Sequence, residues 1–551
     1  MKQRMQVTGS ISNENAQNYT WSPYTTVVLD CGSHLTRAGF AGASDPQFVL
    51  PSVVSTYVSE QRKYNSSLKG ATSGGAYGTP SRTADAAPSD LSYDIGQFAY
   101  EARHSPSFQV SHPIGSNGVE DWDSLERYWL QLFFKYLRVM PDDADVVLCE
   151  PPFFGVEFAK MATEVFFDVL GVNSLCLVPA PVCALHAASV QLSVPSPPAA
   201  ASFGLVVEKV HVGSKTLYFA PGESSTSTGL VVDVGHRSTR LVPVVENMPL
   251  YATGDVFPFG GHHVTEYVHD CLQERKEEGV PPEIRHEVAE KVKVSQGYVA
   301  KELQSEFEKY DEQKFLHPDP HVRKESKIKV MHKHGRQEWS CDVGPERFLG
   351  PEIFFHPELY SRRTRVEASK TVVTATAAGG SGSGAKQGSV NNNLISAADA
   401  VIRKCPIDYR RQLYQRVVLV GGSSQFQHFS HRFTRELGLR LNTSQARKIQ
   451  TGVAPFALPV MQRHAIWHGA SIFAQTEAYK QKRITKEVYE EQQFSRAARG
   501  GGIGAGTSGS FGDDEMHRPL RNNYDSAGSC PSAGTTTARA GNKSTYNKIF
   551  S

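Results

Sequence analysis

The sequence has no Cys-x-x-Cys pair, no long apolar run and almost no net charge. Its eight cysteines (Cys31, Cys149, Cys176, Cys183, Cys271, Cys341, Cys405 and Cys530) are scattered through 551 residues. That argues against a disulfide framework and against a zinc site, and favours a reducing intracellular setting. No apolar stretch approaches the about 18 residues a membrane helix needs, and the opening MKQRMQVTGSISNENAQNYT lacks the apolar core of a secretory signal. A formal net charge of +2 gives the whole chain no electrostatic reason to seek nucleic acid. What remains is an ordinary soluble composition, 39% hydrophobic and 21% charged. The length suits roughly two to four domains.

What the chain does have is one turn written twice. VVLDCGSHLTRAGFAG at 27–42 and LVVDVGHRSTRLVPVV at 230–245 align so that Asp30, Gly32, Thr36 and Arg37 fall on Asp233, Gly235, Thr239 and Arg240. Each copy has apolar residues running into an Asp, a tight Gly turn and a return strand, a frame best read as duplication. Elsewhere the pattern is α/β. DWDSLERYWLQLFFKYLRVM predicts a helix capped by Asp123 with Glu126 three residues on, its apolar face formed by Leu125, Trp129, Leu132, Phe133 and Tyr136. DADVVLCEPP predicts a short buried strand, and GGHHVTEYVHDCLQERKEEG a helix. PPEIRHEVAEKVKVSQGYVAKELQSEFEKYD predicts a second helix entered through Pro281 and Pro282. RQLYQRVVLVGGSSQFQHF predicts a strand ending in a Gly-Gly turn. Residues 64–90 read as a mobile loop, 371–393 as a flexible insertion and 495–551 as a disordered tail. GGSGSGAKQ near Lys386 is not a Walker loop, because its spacing fails and no Ser or Thr follows the Lys.

A strand ending in Asp, followed by a Gly/Ser turn, can hold a nucleoside triphosphate without a Walker loop. Glycine lets backbone N–H groups approach phosphate closely, the Asp holds Mg²⁺ through its waters, and Arg37 can neutralise phosphate. Two facing hairpins would clamp the phosphates, with Gly421-Gly422-Ser423 covering the nucleotide. Any one hairpin alone reads better as plain α/β core. Two related hairpins followed by VVLVGGSS favour the clamp. His262-His263 and the pair His332/His334 read as surface histidines, since no third metal ligand follows at a fitting spacing. Glu150 reads as structural, and the basic stretch 324–336 as a solvated hairpin.

The order of these elements resembles the actin superfamily, and AGFAGASDPQFVLPS looks like its first hairpin and exit. GVEDWDSLERYW, FFKYLR, GVPPE, EFEKYD, DVGPERFLGPEIFFHPELY and CPIDYRRQLYQRVVLVGGSS are similar to a narrower branch. These are the actin-related proteins of the seven-protein complex that nucleates branched actin filaments. The resemblance implies an α/β, actin-like fold of two duplicated RNase H-like halves around a nucleotide cleft. The first half would be 25–189 with 461–493. The second would be 228–460, with 263–344 as an outer, mostly helical subdomain, and 190–227 would be an insertion.

The resemblance also implies ATP with Mg²⁺ as cofactor. Asp30, Gly32, Ser33 and Arg37 would contact phosphate and the metal's waters, as would Asp233 and Gly235 from the second half, with Asp30 and Asp233 serving the metal. Lys293 would lie beside the adenosine, with Gly421, Gly422, Ser423, Phe426 and Arg463 closing over it. Several positions depart from the family pattern. Arg37 replaces Lys, His34 replaces Gly, and Val234, His236, Arg237 and Arg240 replace a hydroxyl, an Asp, a Gly and the water-ordering His. Val294 stands for a ribose-binding Glu, and Ala180 for the Gln that positions the attacking water. Without both water-ordering residues the positioning that hydrolysis needs is missing. The expectation is weak or altered ATP binding, little hydrolysis and no catalytic residue.

The expected role is a template for the daughter filament. The expected partners are a second actin-related protein, small complex subunits, an actin filament and a nucleation-promoting activator, in the cytoplasm and cytoskeleton, with no nucleic acid and no membrane span. The rival readings are an actin-related subunit of a chromatin-remodelling assembly, a small-molecule kinase of the same superfold, and a self-polymerising filament.

Overall fold

In the computed structural model, residues 25–57, 93–192, 208–219, 227–274, 280–309, 327–331, 338–363, 393–444 and 450–500 are described. The loop expected at 64–90 lies outside them. So do the insertion at 371–393 apart from Asn393, the tail beyond residue 500, and His332 and His334.

The repeated sequence folds as a repeated structure. Strand β1 (Thr25–Cys31) pairs antiparallel with β2 (Leu35–Phe40), and β2 pairs with β3 (Phe48–Pro51). A three-stranded sheet of β4 (Val54–Tyr57), β5 (Tyr93–Ile95) and β6 (Phe108–Ser111) follows, in the order β5-β4-β6. Strands β7 (Ala144–Glu150) and β8 (Ser174–Pro179) run parallel to β1. Their near-continuous apolar runs suit strands covered on both faces. A small hairpin, β9 (Glu208–Val212) with β10 (Lys215–Phe219), lies inside the stretch 190–227. It buries Val210, Val212, Leu217 and Phe219, and Gln475 bonds both N–H and C=O of His211.

The second half repeats the opening pattern. Strand β11 (Gly229–Val234) pairs antiparallel with β12 (Thr239–Val245), which also meets β13 (Met248–Pro249) and β14 (Asp255–Phe257). A hairpin of β15 (Lys327–Met331) and β16 (Glu338–Asp342) stands apart. Strand β17 (Val417–Val420) runs parallel to β11 as β7 does to β1. Strand β18 (Ile484–Thr485) returns to close the first sheet beside β8, giving the order β18-β8-β7-β1-β2-β3.

Two helices join the sheets. In the helix Ala180–Ala187, Cys183 packs with Val28 and Val147 of the first sheet, while Val182 and Leu185 pack with Val231 and Val418 of the second. The helix Ala465–Phe473 crosses it so closely that a Cβ on Gly469 would lie 1.6 Å from the carbonyl of Cys183. Only glycine fits there. Each half also has its own core, around Trp129 and Phe166 in the first and around Phe348 and Phe433 in the second. Each such fully buried side chain contributes about 1.5–3 kcal/mol.

Three local expectations are corrected. The helix at Trp122–Gln131 is capped by Asp121, whose side chain accepts from Ser124 N–H at 3.0 Å, and Asp123 lies inside the first turn. The expected face is buried all the same, with Leu125, Trp129, Leu132 and Phe133 fully enclosed. The long helix expected from Pro281 breaks into Arg285–Gln296 and Leu303–Lys309, because Gly297 turns extended where a Cβ would strike Lys293 O and Phe426. The helix Lys486–Gly500 continues past residue 495, where the tail was expected to begin.

Candidate functional site

The two β-turns face the gap between the sheets with matching geometry. Gly32 N–H donates to Leu35 O at 3.2 Å, and Gly235 N–H to Ser238 O at 3.1 Å. A Cβ at either glycine would come within 3.0 Å (Gly32) or 2.9 Å (Gly235) of that same carbonyl. Asp30 sits opposite Arg37 in register, as Asp233 sits opposite Arg240. The duplication therefore places two carboxylates and two guanidiniums in one small volume.

These four groups balance each other. Arg37 Nη1 donates to Asp30 Oδ2 at 3.0 Å, and its Nε donates to His464 Nδ1 at 2.9 Å. His464, at the start of the helix Ala465–Phe473, therefore accepts as a neutral ring, and burial together with Arg37 holds its pKa down at about 3. Burial pushes the Asp30 carboxyl up, against the pull of Arg37 and Arg240. Asp233 is raised in the same way, opposed by Arg240 and reinforced by the charge of Asp30. Gly421, at φ +89°, lies so close that a Cβ would be 2.8 Å from Asp233 Oδ1.

Above this floor the hairpin tips touch. The rings of His34 and His236 stack with centroids 3.9 Å apart and planes 11° from parallel. His34 Nε2 stands 3.7 Å from Glu290 Oε1, and burial, then the charges of His34 and Lys293, hold His236 well below the usual imidazole range. Arg240 Nη2 donates to Ser116 O at 3.0 Å and Arg237 Nη1 to Glu120 Oε1 at 3.4 Å, so the second hairpin is tied to a loop of the first half.

Part of the remaining expected set, Lys293, Ser423 and Phe426, packs around the turns, and the rest stands apart. Lys293 Nζ donates to Thr265 Oγ1 at 2.8 Å and to Gly261 O at 3.4 Å. Gly261 N–H donates to Gly235 O, and its Cα faces the buried Ser423 hydroxyl. Phe426 packs its ring on Gly297, Gly422 faces open space, and Ser33 is half-buried at its turn. Arg463 is exposed at the end of the helix Pro459–Arg463 and is not drawn into the cluster. Val294 is 74% exposed and Ala180 is buried. Sequence reasoning flagged His34, His236, Arg237 and Arg240 as departures. It missed their pairings, and it missed His464, Glu290, Ser116 and Glu120 altogether, because nothing local marks them.

Comparison with known protein families finds a match to Actin over residues 22–500. The chain belongs to the actin family. It is 32% identical over 482 residues to Actin-related protein 3 of Oryza sativa, subspecies indica and japonica, covering 84% of this chain and 94% of each relative. It is 30% identical over 473 residues to Actin-related protein 3 of Drosophila melanogaster, with the same two shares. The fold is accordingly α/β and actin-like, and the chain is an actin-related protein.

Members of this family generally bind ATP with Mg²⁺, and the side chains between these hairpins fit that pair poorly. The Asp30 carboxylate is engaged by Arg37, the turn glycine N–H groups are used within their own turns, and two imidazoles fill the space between the tips. Among the described residues no group of three or more His, Cys, Asp and Glu side chains is arranged to hold a metal ion directly. Among them too, no helix is long and apolar enough to cross a membrane.

Proposed function

We propose that this chain is a structural, actin-related subunit of the assembly that nucleates branched actin filaments. In this reading it pairs with a second actin-related protein, is held by small complex subunits, and templates the daughter filament when an activator and an existing filament are engaged. It works in the cytoplasm, at the cytoskeleton. The observation that carries the reading is similarity to Actin-related protein 3 across 94% of the relatives' length, which leaves no large part of those proteins without a counterpart here.

The site supports a subunit role over turnover. Arg240, where the family has its water-ordering His, is bonded to Ser116 O, and Ala180 offers no polar group to hold an attacking water. ATP binding is therefore weak or altered, at most a residual ATPase survives, and no residue is assigned a catalytic role. Any nucleotide contact runs through Asp30, Gly32, Ser33, Arg37, Asp233, Gly235, Lys293, Gly421, Gly422, Ser423, Phe426 and Arg463.

Tagged purification from native cells, with mass spectrometry of what stays bound, tests the proposal. Recovery of a second actin-related protein with several small subunits in equal amounts is the expected result. Recovery of DNA-translocase subunits would move the chain to a chromatin assembly, and a chain that purifies alone would overturn the subunit reading.

A further inference from the structure

We propose that the cleft of this chain is held shut by its own side chains, which take the place of a nucleotide and its cation as the tie between the two halves. This goes beyond weakened nucleotide binding, and it does not depend on which assembly the chain joins.

A divalent cation at the base of such a cleft would bring two positive charges to two carboxylates. Here Arg37 and Arg240 supply two, built into the same hairpins as Asp30 and Asp233 and opposite them in register. A guanidinium has no need of the cation's water shell, and its planar fork bonds two partners at once, as Arg37 does with Asp30 and His464. The volume between the turns is taken by the His34–His236 stack. Both rings come from positions where the family resemblance puts smaller or acidic residues.

Contacts then continue to the mouth. Glu287, on the helix Arg285–Gln296 of the second half, meets both Arg103 and His104 of the first half at 3.1 Å. With Arg240 to Ser116 O nearer the floor, direct bonds span the gap from base to rim. A bound ligand stabilises a fold only by what it adds to the closed state, and here the closing contacts are already made.

The test measures thermal unfolding of the full-length chain, in whatever assembly it purifies with, using MgATP and EDTA as probes. The expected result is a midpoint unmoved by millimolar MgATP or by EDTA. The variant H34G/H236D, which reopens the tips, should unfold at lower temperature and regain a rise of several degrees with MgATP. Hydrogen exchange on the unmodified protein keeps the proposal testable should that variant not fold. Peptides covering 27–40 and 230–245 should be strongly protected without nucleotide and unchanged by it. A wild-type midpoint that climbs saturably with MgATP, or hairpins that exchange freely until MgATP is added, would overturn the proposal. Either result would leave the partner assignment standing.

Discussion

Arg37→Ala removes the guanidinium that holds Asp30 at 3.0 Å. The two side chains are 17% and 10% exposed, so water replaces little of what is lost. Deleting one partner of such a pair costs about 3–5 kcal/mol. Two features moderate this. Arg240 also acts on Asp30, and the carboxyl can take up a proton. Protonating an ordinary carboxyl of pKa about 3.9 at pH 7 costs about 4 kcal/mol, at about 1.4 kcal/mol per unit. Burial already holds Asp30 above that ordinary range, which caps the loss below this figure. The expected destabilisation is about 2–4 kcal/mol at pH 7.

The pH dependence of that loss has a definite sign. An acid whose pKa is raised on folding favours the native state while protonated, and that contribution is lost as pH rises through the folded value. Removing Arg37 raises Asp30 further, so the difference between variant and wild type should shrink as pH falls from 7 towards about 4. Replacing both charges, D30N/R37A, should recover part of that loss, since no uncompensated buried charge remains, although His464 Nδ1 still lacks its donor. Urea unfolding followed by circular dichroism at pH 7 and pH 5 measures all three. A penalty under about 1 kcal/mol at pH 7, a penalty that grows on acidification, or a double variant no better than the single would refute the reasoning.

Two further outcomes follow from named groups. His186 and His468 are enclosed, at 6% and 0% exposure, and burial depresses each to about 4. The unfolded chain therefore takes up their protons first, and stability should fall as pH drops below about 6.5, by up to about 1.4 kcal/mol per pH unit for each ring; a urea midpoint that stays level between pH 7.5 and 5 would contradict this. Gly421→Ala places a Cβ 2.4 Å from Val234 O at φ +89° and should cost about 2–4 kcal/mol. Gly422→Ala meets nothing within 4 Å and should cost under about 1 kcal/mol, both variants being measured by urea unfolding.

The sequence carried the frame of this protein and left its site half-written. The hairpins were legible because strand alternation, an Asp and a turn glycine lie within eight residues of one another, where local sterics decide the outcome. The repeat supplied its own check, and the registers Asp30↔Arg37 and Asp233↔Arg240 follow from it. The apolar face of Trp122–Leu137 was legible for the same reason, although its cap was placed two residues late. The break at Gly297 was not, because a helical pattern continues through it, whereas the glycine turns extended and packs against Phe426 from far along the chain.

What the sequence determined by itself was the pair of turns and the charges they carry. Which charge meets which was decided by the tertiary structure. Arg37 reaches His464 across 427 residues and Arg240 reaches Ser116 across 124, separations at which no periodicity survives. His34 and His236 look like two unrelated substitutions until the halves fold together and leave the rings 3.9 Å apart. Local propensity fixes φ and ψ over a few residues; the filling of a cleft depends on the chain brought to its other wall.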